Sequence, residues 1–333
     1  MAQALALKYR PKCFEDLTEQ SSVVTILKNQ INSNTIKHGY LFVGAAGTGK
    51  TTSARIFANM INNGEGHPIE LDAASNNSVD DIRELIEQAQ TKSLDSEYKV
   101  FIIDECHMIT PQGWNAFLKT LEEPPLKSIF IMCTTNPEKI PQTILSRAQR
   151  YDFQRISQQG IVERLIHICV QEEVEDAKLE AIQYIAKVAD GGMRDAITML
   201  DKCLSYSNEL TIDSVVKALG IADYDTMVDL YNAIMKNEVP KVFSIIETVH
   251  ASGVDLKQFI KLFSEFVLDI NIFCLTKDKS LVKIPDVWLS KLDGGEKSKD
   301  LLSLLMQLRT EVKYEHNPKP LLIAKLYLYM EGV

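Results

Sequence analysis

The chain has 333 residues, of which 45% are hydrophobic and 24% charged, and carries a net charge of −9. Those proportions suit a folded globular protein of two or three domains. The absence of a global basic footprint counts against an autonomous DNA-binding protein, while leaving room for local phosphate contacts. No apolar run approaches the roughly 18–20 residues of a membrane helix. The opening MAQALALKYRPK lacks the charged and apolar regions of a signal peptide. Six scattered cysteines with no C-x-x-C pair predict a reducing cytosol, without a disulfide framework or zinc ribbon. The acidity is uneven: residues 1–155 hold 16 Lys/Arg against 18 Asp/Glu, and residues 156–333 hold 20 against 27.

In chain order, the first half alternates short β-rich runs with helical patterns. GYLFVG (39–44), HPIELDA (67–73), KVFIIDE (99–105) and SIFIMCTT (128–135) are apolar and bounded by polar, Gly or Pro residues. TTSARIFANMI, DDIRELIEQAQ and GWNAFLKTLEE lie between them with helical periodicity. Apolar strands separated by helices predict a parallel sheet covered on both faces, an α/β domain over residues 1–156. From Gln158 onward the pattern turns helical. GIVERLIHICVQEE, LEAIQYIAKVAD and RDAITMLDKCLSY, followed by TIDSVVKALG, predict a small helical domain over 157–221. Residues 222–333 carry amphipathic helices such as LKQFIKLFSEFVLDINIFCL and predict an all-α domain, with DGGEKSKD (293–300) as its clearest linker.

GAAGTGKTT (44–52) follows a predicted strand and opens a predicted helix, which is the setting a phosphate-binding P-loop requires. Gly44, Ala45, Ala46, Gly47, Thr48 and Gly49 offer backbone N–H groups where larger side chains would obstruct. Lys50 reaches the β- and γ-phosphates, Thr51 coordinates Mg²⁺, and Thr52 continues the helix whose N-terminus adds positive potential. A chance glycine-rich turn is the plainer alternative; the flanking elements and a second motif downstream weigh against it. That second motif is FIIDE, whose apolar run ends in two acids on what is expected to be a neighbouring strand. Asp104 is the candidate Mg²⁺ partner and Glu105 the candidate base that orients water. For Cys106 and His107, which follow directly, zinc would need two further ligands and a nucleophilic thiol would need an orienting base. A structural role is therefore expected for both.

Two arginines stand out beyond the strands. Arg147 in TILSR comes after the last predicted core strand, poorly sited for its own P-loop, and supplied in trans it would act as an arginine finger. Arg194 in GGMRDA opens a helix from which it could reach a bound γ-phosphate. An exposed surface arginine and a helix-capping arginine are the respective alternatives.

Taken together, ALKYRPKCFEDL, GYLFVGAAGTGKTTSARIFA, IELDAASNNSVDDIREL, VFIIDECHM, NAFLKTLEEPP, TTNPEKIPQTILSR and ADGGMRDAITMLDK resemble the bacterial DNA polymerase III gamma/tau family. These are the AAA+ ATPases of the sliding-clamp loader, and the resemblance keeps its order over roughly residues 5–205. It implies a P-loop AAA+ core, a lid and a helical oligomerisation collar. It also implies ATP and Mg²⁺ as ligands, partners in a hetero- and homo-oligomeric ring, a sliding clamp and primer–template DNA, and a cytoplasmic, nucleoid-associated location. It places Tyr9, Arg10 and Pro11 near the base, Thr135 at the sensor-1 position, Arg147 in the finger motif and Arg194 at sensor 2. Ser75, Asn76, Asn77 and Arg83 fall where clamp loaders track DNA phosphates, although polar residues at a helix start are usually caps. Three departures are visible. Ala148 replaces the family's usual cysteine after the finger arginine. The usual four-cysteine zinc module is missing between Cys13 and Cys106, so no zinc is expected. The long tail of tau forms does not follow the collar, so the chain resembles a short form.

Two rivals stay open from the sequence. A non-hydrolysing scaffold subunit would be expected to lose Lys50 or the acids, which are intact here. Another AAA+ machine, such as a Holliday-junction helicase or a recombination ATPase, would lack DAASNN, TLEEPP and GGMRDA.

Overall fold

A computed structural model describes residues 3–93, 95–174, 176–207, 209–219, 224–282, 284, 286–293, 298–313, 315 and 317–332. The chain divides into two compact units, residues 1–174 with 185–201, and residues 175–184 with 202–333.

The first unit is built on five parallel strands: β1 (Gly39–Val43), β2 (Ile69–Asp72), β3 (Lys99–Asp104), β4 (Ser128–Thr134) and β5 (Gln149–Asp152), in the order β2-β3-β4-β1-β5. The central strands are buried on both faces because alternate residues point to opposite sides of the sheet. On one side, Tyr40, Phe42, Val100, Ile102, Ile129 and Ile131 pack with Val23 and Leu27 of α2 (Ser21–Asn32) and Phe57 of α3 (Lys50–Ile61). On the other, Leu41, Phe101, Ile103, Phe130 and Met132 meet Ile82 and Leu85 of α4 (Val79–Gln90) and Trp114 and Phe117 of α5 (Pro111–Glu122). A short α1 (Leu5–Lys8) precedes α2, α6 (Gln142–Leu145) precedes β5, and α7 (Gln158–Gln171) follows it.

Local sequence explains where the helices start. Ser78 and Asp81 form a reciprocal capping box at α4, and Thr110 accepts from the Gly113 N–H at the head of α5, where Pro111 is pre-set for the first turn. Ser157 caps α7 in the same manner.

β5 was not expected as a strand. QRYD carries a single buried residue, Tyr151, because β5 is an edge strand paired only with β1. It joins the sheet late in the chain, so Arg147 does not follow the last core strand, as expected, but precedes it. The β1–β5 edge also leaves no room at the entrance to the P-loop: a Cβ on Gly44 would lie 2.6 Å from the Phe153 carbonyl oxygen and 2.9 Å from its Cβ. Gly44→Ala is therefore expected to destabilise this unit by about 1–3 kcal/mol, measured as a lower denaturation midpoint; an unchanged midpoint would mean the strand ends yield freely.

α8 (Leu179–Val188) and α9 (Met193–Tyr206) each contribute residues to both units. The second unit also holds a two-residue parallel pair, β6 (Asp176–Ala177) with β7 (Glu209–Leu210). Its remaining helices are α10 (Ile212–Leu219), α11 (Tyr224–Met235), α12 (Val239–Ala251), α13 (Leu256–Thr276), α14 (Asp286–Leu289), α15 (Ser298–Glu311) and α16 (Pro318–Glu331). Its core includes Tyr231, Ile246, Phe259, Phe263, Leu305 and Leu326. One buried polar pair sits within it: the Ser298 hydroxyl donates to Asn271 Oδ1 at 2.8 Å and the Asn271 amide donates to the Ser298 carbonyl at 3.2 Å. No helix among the described residues is long and apolar enough to cross a membrane.

Candidate nucleotide site

The loop after β1 and the C-terminal ends of β2 and β3 open onto a cavity of about 600 Å³ within the first unit, the position at which parallel α/β sheets bind ligands. The loop after β1 depends on glycine: Gly47 and Gly49 have φ of 71° and 100°, in the left-handed region that other residues adopt at a cost. Thr48 closes the turn by donating to the Ala45 carbonyl at 2.9 Å. Lys50 is the first residue of α3 and is only 6% exposed. Its ammonium donates to the carbonyls of Gly44 and Ala45 at 2.9 and 2.8 Å. Burial pushes the Lys50 ammonium below its ordinary range, and the nearby Glu105 and Asp104 act the other way.

Next to it, the Thr51 hydroxyl donates to Asp104 Oδ2 at 2.7 Å. The acid strand is not the immediate neighbour of β1, as expected, because β4 lies between them; the first turn of α3 spans that gap. Thr51, Asp104 and the P-loop amides together supply hard oxygen donors and a cradle for phosphate, so the residues fit a Mg²⁺–nucleotide. Among the described residues no group of three or more His, Cys, Asp or Glu is placed to hold a metal ion.

Ala46, Gly47, Thr48, Gly49, Lys50, Thr51, Thr52, Asp104, Glu105 and Arg194 all line the cavity, as do Tyr9, Arg10 and Pro11. Gly44 and Ala45 act through the carbonyls that hold Lys50. Arg194 arrives because the turn before α9 packs tightly on the P-loop. The Met193 N–H donates to the Gly47 carbonyl at 3.0 Å, and a Cβ on Gly192 would come 2.9 Å from Asp195 and 3.4 Å from the Ala46 carbonyl oxygen. On the opposite wall, Arg164 of α7 donates to the Tyr9 carbonyl at 2.9 Å, and the Tyr9 hydroxyl donates to Glu172. Arg164, Leu17 and Ile197 line the cavity without having been singled out from the sequence; nothing local marks them, since their role depends on which helices fold over the P-loop.

Thr135 does not line the cavity, but its hydroxyl donates to Glu105 Oε2 at 3.0 Å. Arg147 also lies outside the cavity: it pairs with Glu122 at 2.5 Å and donates to the Thr143 carbonyl at 2.6 Å. Cys106 is fully buried, and burial pushes its thiol up, so it is a protonated core side chain. His107 Nδ1 makes a ring hydrogen bond with Thr134 Oγ1 at 3.2 Å and lies 3.2 Å from Glu105 Oε2.

The segment 73–77 is organised by Asp72. The Ala74 N–H donates to Asp72 Oδ1 at 3.0 Å, Ser75 Oγ donates to Oδ2 at 3.1 Å, and Asn76 Nδ2 donates to the Asp72 carbonyl at 3.2 Å. The Asn77 carbonyl accepts from the Thr110 N–H at 3.2 Å. The cap of α4 is Ser78, beyond the AASNN stretch, and exposed Arg83 pairs with Asp80 at 3.0 Å.

A five-stranded parallel sheet with a P-loop after β1, an acid pair ending β3 and an arginine-bearing helix returning onto the loop defines a P-loop fold of the AAA+ class. Solved structures of that class agree. The Thermotoga maritima RuvB Holliday junction branch migration motor superposes with a TM-score of 0.54 over 79% of this chain and 91% of that one, at 15% identity, a likeness of fold alone. Family models match in three successive stretches: DNA polymerase III, delta subunit, over residues 65–157; DNA polymerase III clamp loader subunit, ATPase lid domain, over 160–209; and DNA polymerase III subunits gamma and tau domain III over 210–287. The chain is 35% identical to DNA polymerase III subunit tau of Bacillus subtilis, over 95% of this chain and 61% of that protein. It is 34% identical to subunit gamma/tau of Mycoplasma genitalium, over 84% and 50%, and 34% identical to subunit tau of Escherichia coli K12, over 76% and 43%. The chain belongs to the gamma/tau family of DNA polymerase III clamp-loader subunits. It spans about half the length of the curated relatives it matches.

Proposed function

We propose that this chain is the ATP-hydrolysing motor subunit of a bacterial sliding-clamp loader, which opens the clamp and places it on primer–template DNA. The observation that carries the proposal is the paired placement of Lys50 on the P-loop and the Thr51–Asp104 hydrogen bond beside it, the arrangement an Mg²⁺–nucleotide needs.

On this reading, P-loop amides and Lys50 bind the phosphates, and Thr51 and Asp104 would hold an Mg²⁺ ion, which would supply charge neutralisation for the phosphates. Glu105 orients the attacking water and takes its proton. Tyr9, Arg10 and Pro11 wall the base, Arg194 reports the γ-phosphate to the lid, and Thr135 steadies Glu105. Arg147 leaves its pairing with Glu122 to complete the site of a neighbouring subunit. Catalysis is then positioning and electrostatics. Residues 1–156 serve as the ATPase core, 157–221 as the lid and 222–333 as the collar of a ring with other loader subunits. Ser75, Asn76, Asn77 and Arg83 are the candidate DNA contacts, supported by the exposure of Ser75, Asn76 and Arg83. The protein works in the cytoplasm, associated with the nucleoid.

The test is ATP turnover by the chain mixed with its cognate loader subunits, with and without clamp and primed DNA. Stimulation by both is expected; turnover indifferent to clamp and DNA would overturn the proposal. Glu105→Gln is expected to keep nucleotide affinity and lose about 10²-fold or more in turnover, compared by nucleotide titration and steady-state hydrolysis.

A further inference from the structure

The chain reverses sharply after β3. Glu105 has φ 45° and ψ 41°, a left-handed conformation that costs a residue with a Cβ about 1–2 kcal/mol. Cys106–Met108 then winds into a short 3₁₀ turn, anchored by the buried Cys106 side chain. The reversal carries the His107 ring back over the acid it follows. Its Nδ1 is 3.2 Å from Glu105 Oε2 and 3.2 Å from Thr134 Oγ1, and the side chain is 12% exposed. Thr134 Oγ1 in turn accepts from the Asn136 N–H at 2.9 Å, which ties the ring to the end of β4.

Glu105 Oε2 accepts from the Thr135 hydroxyl at 3.0 Å and lies 3.2 Å from His107 Nδ1, whose own ring hydrogen bond is with Thr134 Oγ1. Oε1 has no hydrogen-bond partner among the described residues, and Glu105 lines the cavity. One oxygen held and one left to accept is the division of labour a water-orienting carboxylate requires. The strained turn makes sense in the same terms, since backbone strain at a site persists where the surroundings hold a functional group in place.

We infer that His107 is a positioning residue for Glu105: anchored on Thr134, its ring lies against Oε2, beside the Thr135 hydroxyl bond, and leaves Oε1 as the oxygen that accepts from the reacting water. The inference rests on the reading of Glu105 as the water-orienting base. A spacer role would need only the volume of the ring; a positioning role needs the nitrogen at the Nδ1 place. Asparagine keeps a hydrogen-bonding group there and alanine does not.

The experiment compares wild type, His107→Ala, His107→Asn and Glu105→Gln in the assembled loader, reading kcat, nucleotide Kd and melting temperature, with imidazole ¹⁵N spectra of wild type and Glu105→Gln. His107→Ala is expected to lose about 10- to 100-fold in kcat with Kd unchanged, His107→Asn to recover most of that loss, and the His107 Nδ1 signal to shift in Glu105→Gln. Wild-type kcat in His107→Ala beside an inactive Glu105→Gln would overturn the positioning role alone. Equal losses in His107→Ala and His107→Asn that track a fall in melting temperature would overturn it too. Normal turnover by Glu105→Gln would instead overturn the reading of Glu105, and this inference with it.

Discussion

Lys50→Met is expected to reduce ATP turnover roughly 10³-fold and to weaken nucleotide binding, while the unit stays folded. Methionine fills the path of the aliphatic stem, which is 6% exposed, so little packing is lost. What disappears is the ammonium between the Gly44 and Ala45 carbonyls, the single positive charge that α3 presents at its first residue. Burial already works against that charge, and a phosphate in the cavity would favour it, so its contribution grows as negative charge develops in the transition state. Steady-state hydrolysis and titration with a fluorescent nucleotide measure the two effects. Circular dichroism melting confirms that the fold survives. Normal turnover would show that Lys50 does not face the phosphates. Lys50→Arg is expected to fall well short of rescue, because a planar guanidinium cannot occupy the pocket of a point charge.

Arg147→Ala is expected to leave nucleotide affinity intact and to abolish clamp- and DNA-stimulated turnover, by about 10³- to 10⁵-fold if it acts as a finger in trans. The basis is its placement. Arg147 is outside the cavity of its own chain and is held by Glu122 and the Thr143 carbonyl. An exposed ion pair of this kind contributes about 0–1 kcal/mol, so the arginine is readily exchanged for a stronger anion from a neighbour. Mixing decides the matter: a loader with Arg147→Ala subunits and one with Lys50→Met subunits, each inactive, are expected to regain partial activity when co-assembled, since each can supply what the other lacks. If Arg147→Ala turns over ATP at the wild-type rate, its role is confined to the surface pair with Glu122.

Much of the candidate nucleotide site was legible in the sequence because phosphate recognition is local. Residues 44–52 bring glycines, lysine and threonine together within one strand-to-helix turn, and backbone amides need no distant partner. The acid pair was legible for a similar reason, as the polar end of the apolar run FIID. The central strands showed themselves through continuous burial. β5 did not, since an edge strand with only Tyr151 buried has no periodic signature. The neighbour relation of the strands was also hidden: Thr51 and Asp104 meet across 53 residues although β4 intervenes in the sheet. Ser75 and Asn76 looked available for phosphate, and in the structure both bond to Asp72, as short polar side chains at turns commonly do.

The residue types proposed to bind and hydrolyse a nucleotide, and their order along the chain, were set by sequence alone, as were the helix caps, because each depends on a few consecutive residues. Tertiary structure decided which of them meet. Arg194 lines the cavity because the turn before α9 packs on Gly47, where a Cβ would lie 3.2 Å from Gly192 Cα and 3.3 Å from the Arg194 backbone nitrogen. Arg164 and Leu17 become cavity walls only once α7 and the N-terminal segment lie beside it. Glu105 meets the Thr135 hydroxyl and the His107 ring only when β3 pairs with β4 and the left-handed turn folds the chain back. Those contacts arise from strand pairing and helix packing over long separations, which leave no periodic or local trace in the order of residues.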